Sequence, residues 1–328
     1  MRKHQYDLLL KGVSVWNNFK ASAKEHIDLS GADLAHMDLR GIDLSGANLS
    51  GAVLVNTVLD HSDMSDADLT GAELNQASIR HANLTGSVLN MASGTAADFA
   101  GSNLTAAIFR STVLQYCNFR MVEGPRANFE GADITSSVFV QSDFRGANFE
   151  RVKASNTVWC GSIISRSHFK DAMLRDSNFE RCRANNVNFT GANLECSDFT
   201  NASITHVKTE SAHMYRCSLP VELLFDSRGH NLSYTTRKGK LEFKAGCHNF
   251  KPQQAQDYFL DTEYKDTSRG AAIAALLKLC EETYDSNTYD SNTYDSNTYD
   301  SNTYDSNTYD SNTYDSNTYD SNTYDSSL

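Results

Sequence analysis

Residues 27–51 read IDLSG ADLAH MDLRG IDLSG ANLSG. An acid or its amide returns at every fifth position, as Asp28, Asp33, Asp38, Asp43 and Asn48, and a leucine follows each one. Stepping by five from Leu29 reaches Leu219 with no insertion or deletion, which makes 39 consecutive units. The stepped residue, the centre of its unit, is Leu, Ile, Met, Phe or Trp in 34 of them; the exceptions are Gly94, Gly124, Ala154, Ala184 and Thr209. Two residues before the centre, 36 of the 39 positions hold Ala, Ser, Thr, Cys or Val, and Ile27, Met37 and Ile42 are the departures.

A period of five matches neither a helix, at about 3.6 residues per turn, nor the alternation of a strand. The chain must turn once per unit and place two of every five side chains inside. A square coil does both, with one unit per side and four units per turn. The centres fill the interior, among them Leu29, Leu34, Leu39, Leu44, Leu49, Phe99, Phe119, Phe129, Phe149, Phe179 and Phe199. The residue two back also points inward and must be small, because four sides converge there. Asp or Asn just before the centre suits a turn, where its side chain bonds nearby backbone. Ser, Thr and Gly after the centre fit the corners.

Units such as ANLSG (47–51), ADLTG (67–71), ANLTG (82–86), ANFEG (127–131) and SDFRG (142–146) resemble the pentapeptide-repeat family, whose motif is A(D/N)LXX. The resemblance covers residues 27–221 and implies a right-handed quadrilateral β-helix. At about 4.8 Å between paired strands, nearly ten coils would form a rod on the order of 45 Å long. Four of the weak centres, Gly94, Gly124, Ala154 and Ala184, follow one another at steps of 30, which reads as a duplication one and a half coils long. They are expected to mark bulges, thin spots or short loops, with tolerated drift as the alternative. Phenylalanine becomes frequent among the centres from Phe99 onward, so a change of cross-section or corner geometry is expected there.

A stacked coil leaves open edges that need caps. Residues 1–26 are assigned as the N-terminal cap, with Leu8, Leu9, Val13, Trp16 and Phe19 in a helix–turn–helix pattern. Beyond the repeat, residues 222–282 read as a small α+β module. Its strands run through VELLFDSRGHNLSYTTRKGKLEFKAGCHNF, and PQQAQDYFL and RGAAIAALLKLCEE read as helices. Residues 283–328 are a low-complexity tail of YDSNT copies ending in YDSSL. Its composition points to disorder. A coil with tyrosines stacked inside and a phosphotyrosine array are the alternatives.

The net charge is −12, unevenly spread: the tail carries −9, residues 27–109 carry −8, and residues 110–221 carry +2. Asp28, Asp33, Asp38, Asp43, Asp63 and Asp68 are the candidate acidic interaction surface, with a solvated, solubilising face as the bland alternative. Seven scattered cysteines without a CxxC pair indicate neither a zinc knuckle nor a disulfide framework, and a reducing cytosol follows as the simple reading. Cys117, Cys182 and Cys217 occupy the small inward position. His61 and His81 lie one coil apart and are expected to stack on one face, but Gly41 and Gly101 flank them and no third ligand aligns. Cys247–His248, as chain neighbours, make a poor nucleophile pair. Arg110, Glu130, Glu150 and Lys170 form a column of mixed sign.

No nucleotide-binding, hydrolase or metalloprotease motif is present, so no catalytic residue, cofactor or metal site is assigned. No signal-peptide core or membrane span is readable either. The expectation is a non-enzymatic bacterial or phage-derived scaffold that binds a protein partner through its faces. It would be cytoplasmic, or secreted without a cleavable signal; no direct nucleic-acid or membrane binding is expected, and homo-oligomerisation is left open. The alternative is a DNA mimic acting on gyrase or topoisomerase, similar in kind to quinolone-resistance pentapeptide proteins, whose dimers form through the C-terminal end of the rod.

Overall fold

A computed structural model describes residues 1–204, 207–209, 211–214 and 217–218, together with the backbone of four strands between 224 and 250. From residue 28 onward each pre-centre residue pairs in parallel with the one twenty further on, from Asp28 with Asn48 to Asp198 with Ser218. Four units therefore complete one turn. The centre N–H donates up the stack, as from Leu29 to the Asn48 carbonyl (2.8 Å), and the pre-centre N–H donates down, as from Asn48 to Ile27 (2.9 Å). Each side is closed by a turn, for example Ala32 N–H to Leu29 O at 3.0 Å. We number the sides by their centres: the first carries Leu29 and Leu49, the second Leu34 and Leu54, the third Leu39 and Leu59, the fourth Leu44 and Met64.

The corner is the second residue after each centre. Every described corner from Gly31 to Ser211 has a positive φ, between 53° and 69°. A turn of this kind requires the left-handed region at its third residue, which glycine adopts freely and other residues adopt at about 1 kcal/mol or more. The corner φ is the same before and after Phe99, so the corner geometry does not change there. The rings are accommodated in another way. Phe99, Phe119, Phe139, Trp159, Phe179 and Phe199 stack in one column, and Phe109, Phe129, Phe149, Phe169 and Phe189 in the column opposite. Centroids within a column are typically 4.6–5.3 Å apart, the spacing of the ladder itself, and the two columns meet edge to face. Such pairs add roughly 0.5–1.5 kcal/mol each beyond burial.

The weak centres are not bulges or loops. The ladder runs unbroken through Gly94, Gly124, Ala154 and Ala184, whose N–H groups bond the next coil at 2.7–2.9 Å. At Gly124 the missing side chain is replaced from the coil above: an added Cβ would lie 2.4 Å from Cε1 of Phe144. Glycine here makes room for a neighbour's ring, which a bulge would not.

Below the rod, α1 (Lys3–Leu9) and α2 (Val13–Ser22) form the expected cap, with Leu9 and Trp16 fully buried. The cap supplies the partners that a preceding coil would have given. Gln5 Oε1 accepts from the Asp28 N–H (2.7 Å) and Asn17 Oδ1 from the Asp43 N–H (2.9 Å). The Arg2 N–H, the Tyr6 hydroxyl and the Trp16 indole N–H donate to the carbonyls of Asp28, Asp33 and Asp43 at 2.7–2.8 Å. Edge groups that would otherwise sit half-buried and unpaired are thus satisfied.

After the rod, β1 (Leu224–Phe225), β2 (Asn231–Arg237), β3 (Lys240–Ala245) and β4 (His248–Phe250) form an antiparallel sheet in the order β1-β2-β3-β4. The two helices expected after it and the YDSNT tail lie outside the described residues.

Candidate interaction surface

The six candidate acids do not share a face. Asp28 and Asp68 are on the first side, separated by Asn48; Asp33 is on the second, Asp38 on the third, and Asp43 and Asp63 are stacked on the fourth. Each also bonds its own turn. Asp28, Asp43 and Asp63 accept from both the N–H and the hydroxyl of the serine two residues on, at 2.6–3.1 Å. Asp33, Asp38 and Asp68 accept the corresponding N–H from Ala35, Arg40 and Thr70. Hydrogen bonds from the Ser30 hydroxyl and N–H, with the Met1 ammonium beside them, hold the Asp28 carboxyl down at about 2. The Arg40 guanidinium likewise lowers Asp38. These carboxylates are turn formers first. Among the described residues, no outward column carries more than two successive acids.

A different feature emerges on the second and third sides. Met91, Tyr116 and Met121 occupy corners and are 67%, 64% and 55% exposed, and Val113 beside them is 43% exposed. The third side continues this surface with half-buried Val138, Val140 and Val158, and no charge is found on it from Val138 to Gly161. On the second side, Glu73 and Asp133 are the only outward charges between Val53 and Ser136. Nothing in the coil requires a large apolar residue at a corner, where it must adopt a left-handed backbone. An apolar patch in that position is unlike the rest of the rod and has the character of a contact surface. The sequence reading passed over these residues. Writing the chain in rows of twenty would have placed Tyr116, Met121, Val138 and Val140 together.

The remaining candidates are structural. His61 and His81 stack as expected, with centroids 5.2 Å apart and planes 11° apart. Among the described residues no group of three or more His, Cys, Asp or Glu is placed to hold a metal ion. Burial pushes the thiols of Cys117 and Cys182 up to about 12, and the Cys117 thiol donates inward to the Gly94 carbonyl. In the mixed column, Glu130 pairs with both Arg110 and Arg151. No described helix is long and apolar enough to cross a membrane.

The family model of pentapeptide repeats matches residues 27–66, 52–90 and 95–122, and that of the pentapeptide repeat region matches 132–209. The chain belongs to the pentapeptide-repeat family. Similar solved structures include those of other pentapeptide-repeat proteins. One, from the cyanobacterium Cyanothece, is 20% identical over 33% of this chain and 86% of its own, with a TM-score of 0.32. QnrB1, a plasmid-mediated fluoroquinolone resistance protein, is 18% identical over 55% and 87%, with a TM-score of 0.38. HetL from the cyanobacterium Nostoc, involved in heterocyst differentiation regulation, is 21% identical over 61% and 93%, with a TM-score of 0.22. Among curated proteins none matches this chain.

Proposed function

We propose that this pentapeptide-repeat protein is a non-enzymatic scaffold, its coil right-handed, that binds a protein partner through the second and third sides of its rod. The observation that carries the reading is the row of exposed apolar residues Met91, Val113, Tyr116 and Met121, which runs across the second and third sides. Tyrosine and methionine are enriched at protein interfaces, and a flat, rigid β face costs little ordering entropy on binding. Residues 222–282 are taken as a separate appended module, and the setting as a bacterial cytoplasm. The test is proximity crosslinking in the native host, comparing wild type with a Tyr116→Glu, Met121→Glu variant. Loss of specific crosslinked proteins is expected; an unchanged set removes the apolar face from the proposal.

The second reading, a duplex mimic acting on gyrase, rests on the −8 carried by residues 27–109. It draws less support, because a mimic needs acids in long rows and the six acids here point to four sides. A gyrase supercoiling assay with and without drug separates the two: protection by this protein favours the mimic, and no effect at excess protein ends it.

A further inference from the structure

The fourth side carries opposite charges at its two ends. Toward the N-terminus it presents Asp43, Asp63 and the corner residue Asp66; toward the C-terminus it presents Arg126, Arg145, Arg166 and Arg183, together with Glu123 and Asp143. Between them lie Asn83, Thr85, Gly86, Asn103, Thr105 and Ala106, small and uncharged. Asp66, Arg166 and Arg183 are exposed and have no ion-pair partner among the described residues. Asp43 stands 4.0 Å from Lys20 and keeps 40% of its side chain exposed, whereas Arg145 is already held by Asp143.

We propose that this face binds a second copy of the chain, antiparallel, about a two-fold axis that crosses the face between the coils of Asn103 and Glu123. The axis preserves position across the face, so corner meets corner and pre-centre residue meets pre-centre residue. Asp66 then opposes Arg166 of the other copy, and Asp43 opposes its Arg183, each pair occurring twice. Gly86, over which the Asp66 carboxylate lies, faces Gly146. The register is specified by charge. Moving the axis half a coil one way sets Asp63 against Asp143; moving it the other way sets Arg126 and Glu123 against themselves. A parallel arrangement would bring the acidic ends together. Like charges so placed are costly, and complementary fields select one arrangement.

The coils from Asp43 to Arg183 span about 34 Å at the spacing of paired strands. One side of a coil is narrow, so the face is smaller than the ~800 Å² per partner of a standard interface. The dimer is therefore weak and sensitive to salt. It also differs in place from an association through the end of a rod.

The test is sedimentation of the full chain at about 0.05 M and about 0.5 M salt, on either side of strong screening. A reversible dimer at low salt that dissociates at high salt is expected. Asp66→Lys and Arg166→Glu should each weaken it by about tenfold or more, since each replaces two attractive pairs with two repulsive ones. Mixing these two variants should restore dimerisation, because every opposed pair is again of opposite sign, and so should the doubly substituted chain. Circular dichroism confirms that each variant is folded; should one not fold, Asp66→Asn and Arg166→Gln take their place, with a smaller loss expected. A wild type that stays monomeric at low salt overturns the proposal. So do folded single variants that dimerise as wild type does, or a mixture that stays monomeric.

Discussion

Gly124 and Gly94 offer a sharp test of how the core is filled, because both lack a centre side chain for different reasons. A Cβ at Gly124 would lie 2.4, 2.8 and 3.1 Å from three ring atoms of Phe144. That ring is held edge-on by Phe129, Phe139, Phe149 and Trp159, at centroid distances of 5.4–6.2 Å, and cannot swing aside. Gly124→Ala should gain about 0.4–1 kcal/mol from a less flexible unfolded chain. Overpacking against a trapped ring costs about 1–3 kcal/mol, so the net expectation is a loss of about 1–2 kcal/mol. At Gly94 the closest atom to an added Cβ is the terminal Cδ2 of Leu114, at 2.9 Å, which can rotate. Gly94→Ala should therefore change stability by less than about 0.5 kcal/mol. In a Phe144→Leu background the Gly124→Ala penalty should largely vanish, a coupling readable by a double-mutant cycle in urea unfolding. If Gly124→Ala is neutral in the wild type, or costs the same in the Phe144→Leu background as beside the native ring, the account of Gly124 as room for Phe144 is wrong.

Other outcomes follow from the same structure. Asp28 has a folded pKa of about 2, below its ordinary value of 3.8, so its stabilising contribution is present above about pH 4 and is lost as pH falls toward 2. Asp28→Asn keeps the oxygen that Ser30 bonds, as Asn48 does for Ser50, but removes the charge beside the Met1 ammonium, so it should lower stability modestly at pH 7 and flatten acid unfolding in that window. Trp16→Phe keeps most of the burial but strands the Asp43 carbonyl, and should cost about 1–3 kcal/mol by thermal unfolding. At pH 8 the thiols of Cys117 and Cys182, held at about 12, should react with a thiol reagent only on unfolding, measured by mass shift against urea concentration.

Much of the architecture was legible because a period of five leaves few alternatives. The inward pair, the four-unit turn and the helical cap all follow from spacing, and residues such as Leu29, Leu34 and Trp16 sit where the pattern put them. Bulges or loops were expected at the weak centres because periodicity reports what a position lacks, and only packing shows that Phe144 fills the space at Gly124. The spread of the acids follows from the same period: neighbours along the chain are on different sides of the coil, so Asp28 and Asp33 are near in sequence and face apart. Tyr116 and Met121 stayed hidden because corner residues do not enter the inward pattern at all. The corner's positive φ did leave a trace, in the glycines at 31, 41, 46, 51 and 71.

The unbroken ladder also ties the aim of each surface to the length of chain beneath it. Loss of one five-residue unit would leave every inward pair and every turn intact, yet turn all later faces by a quarter of a revolution against the earlier ones. Loss of four units would shorten the rod and keep its bearings. A 30-residue copy, one and a half turns, carries a feature to the opposite side, which is where Gly94 and Gly124 stand relative to each other. For a protein of this kind, the fold tolerates slippage in steps of five, while any function that joins distant coils tolerates it only in steps of twenty. Selection on the binding surface can thus be read as a phase constraint, separate from selection on stability.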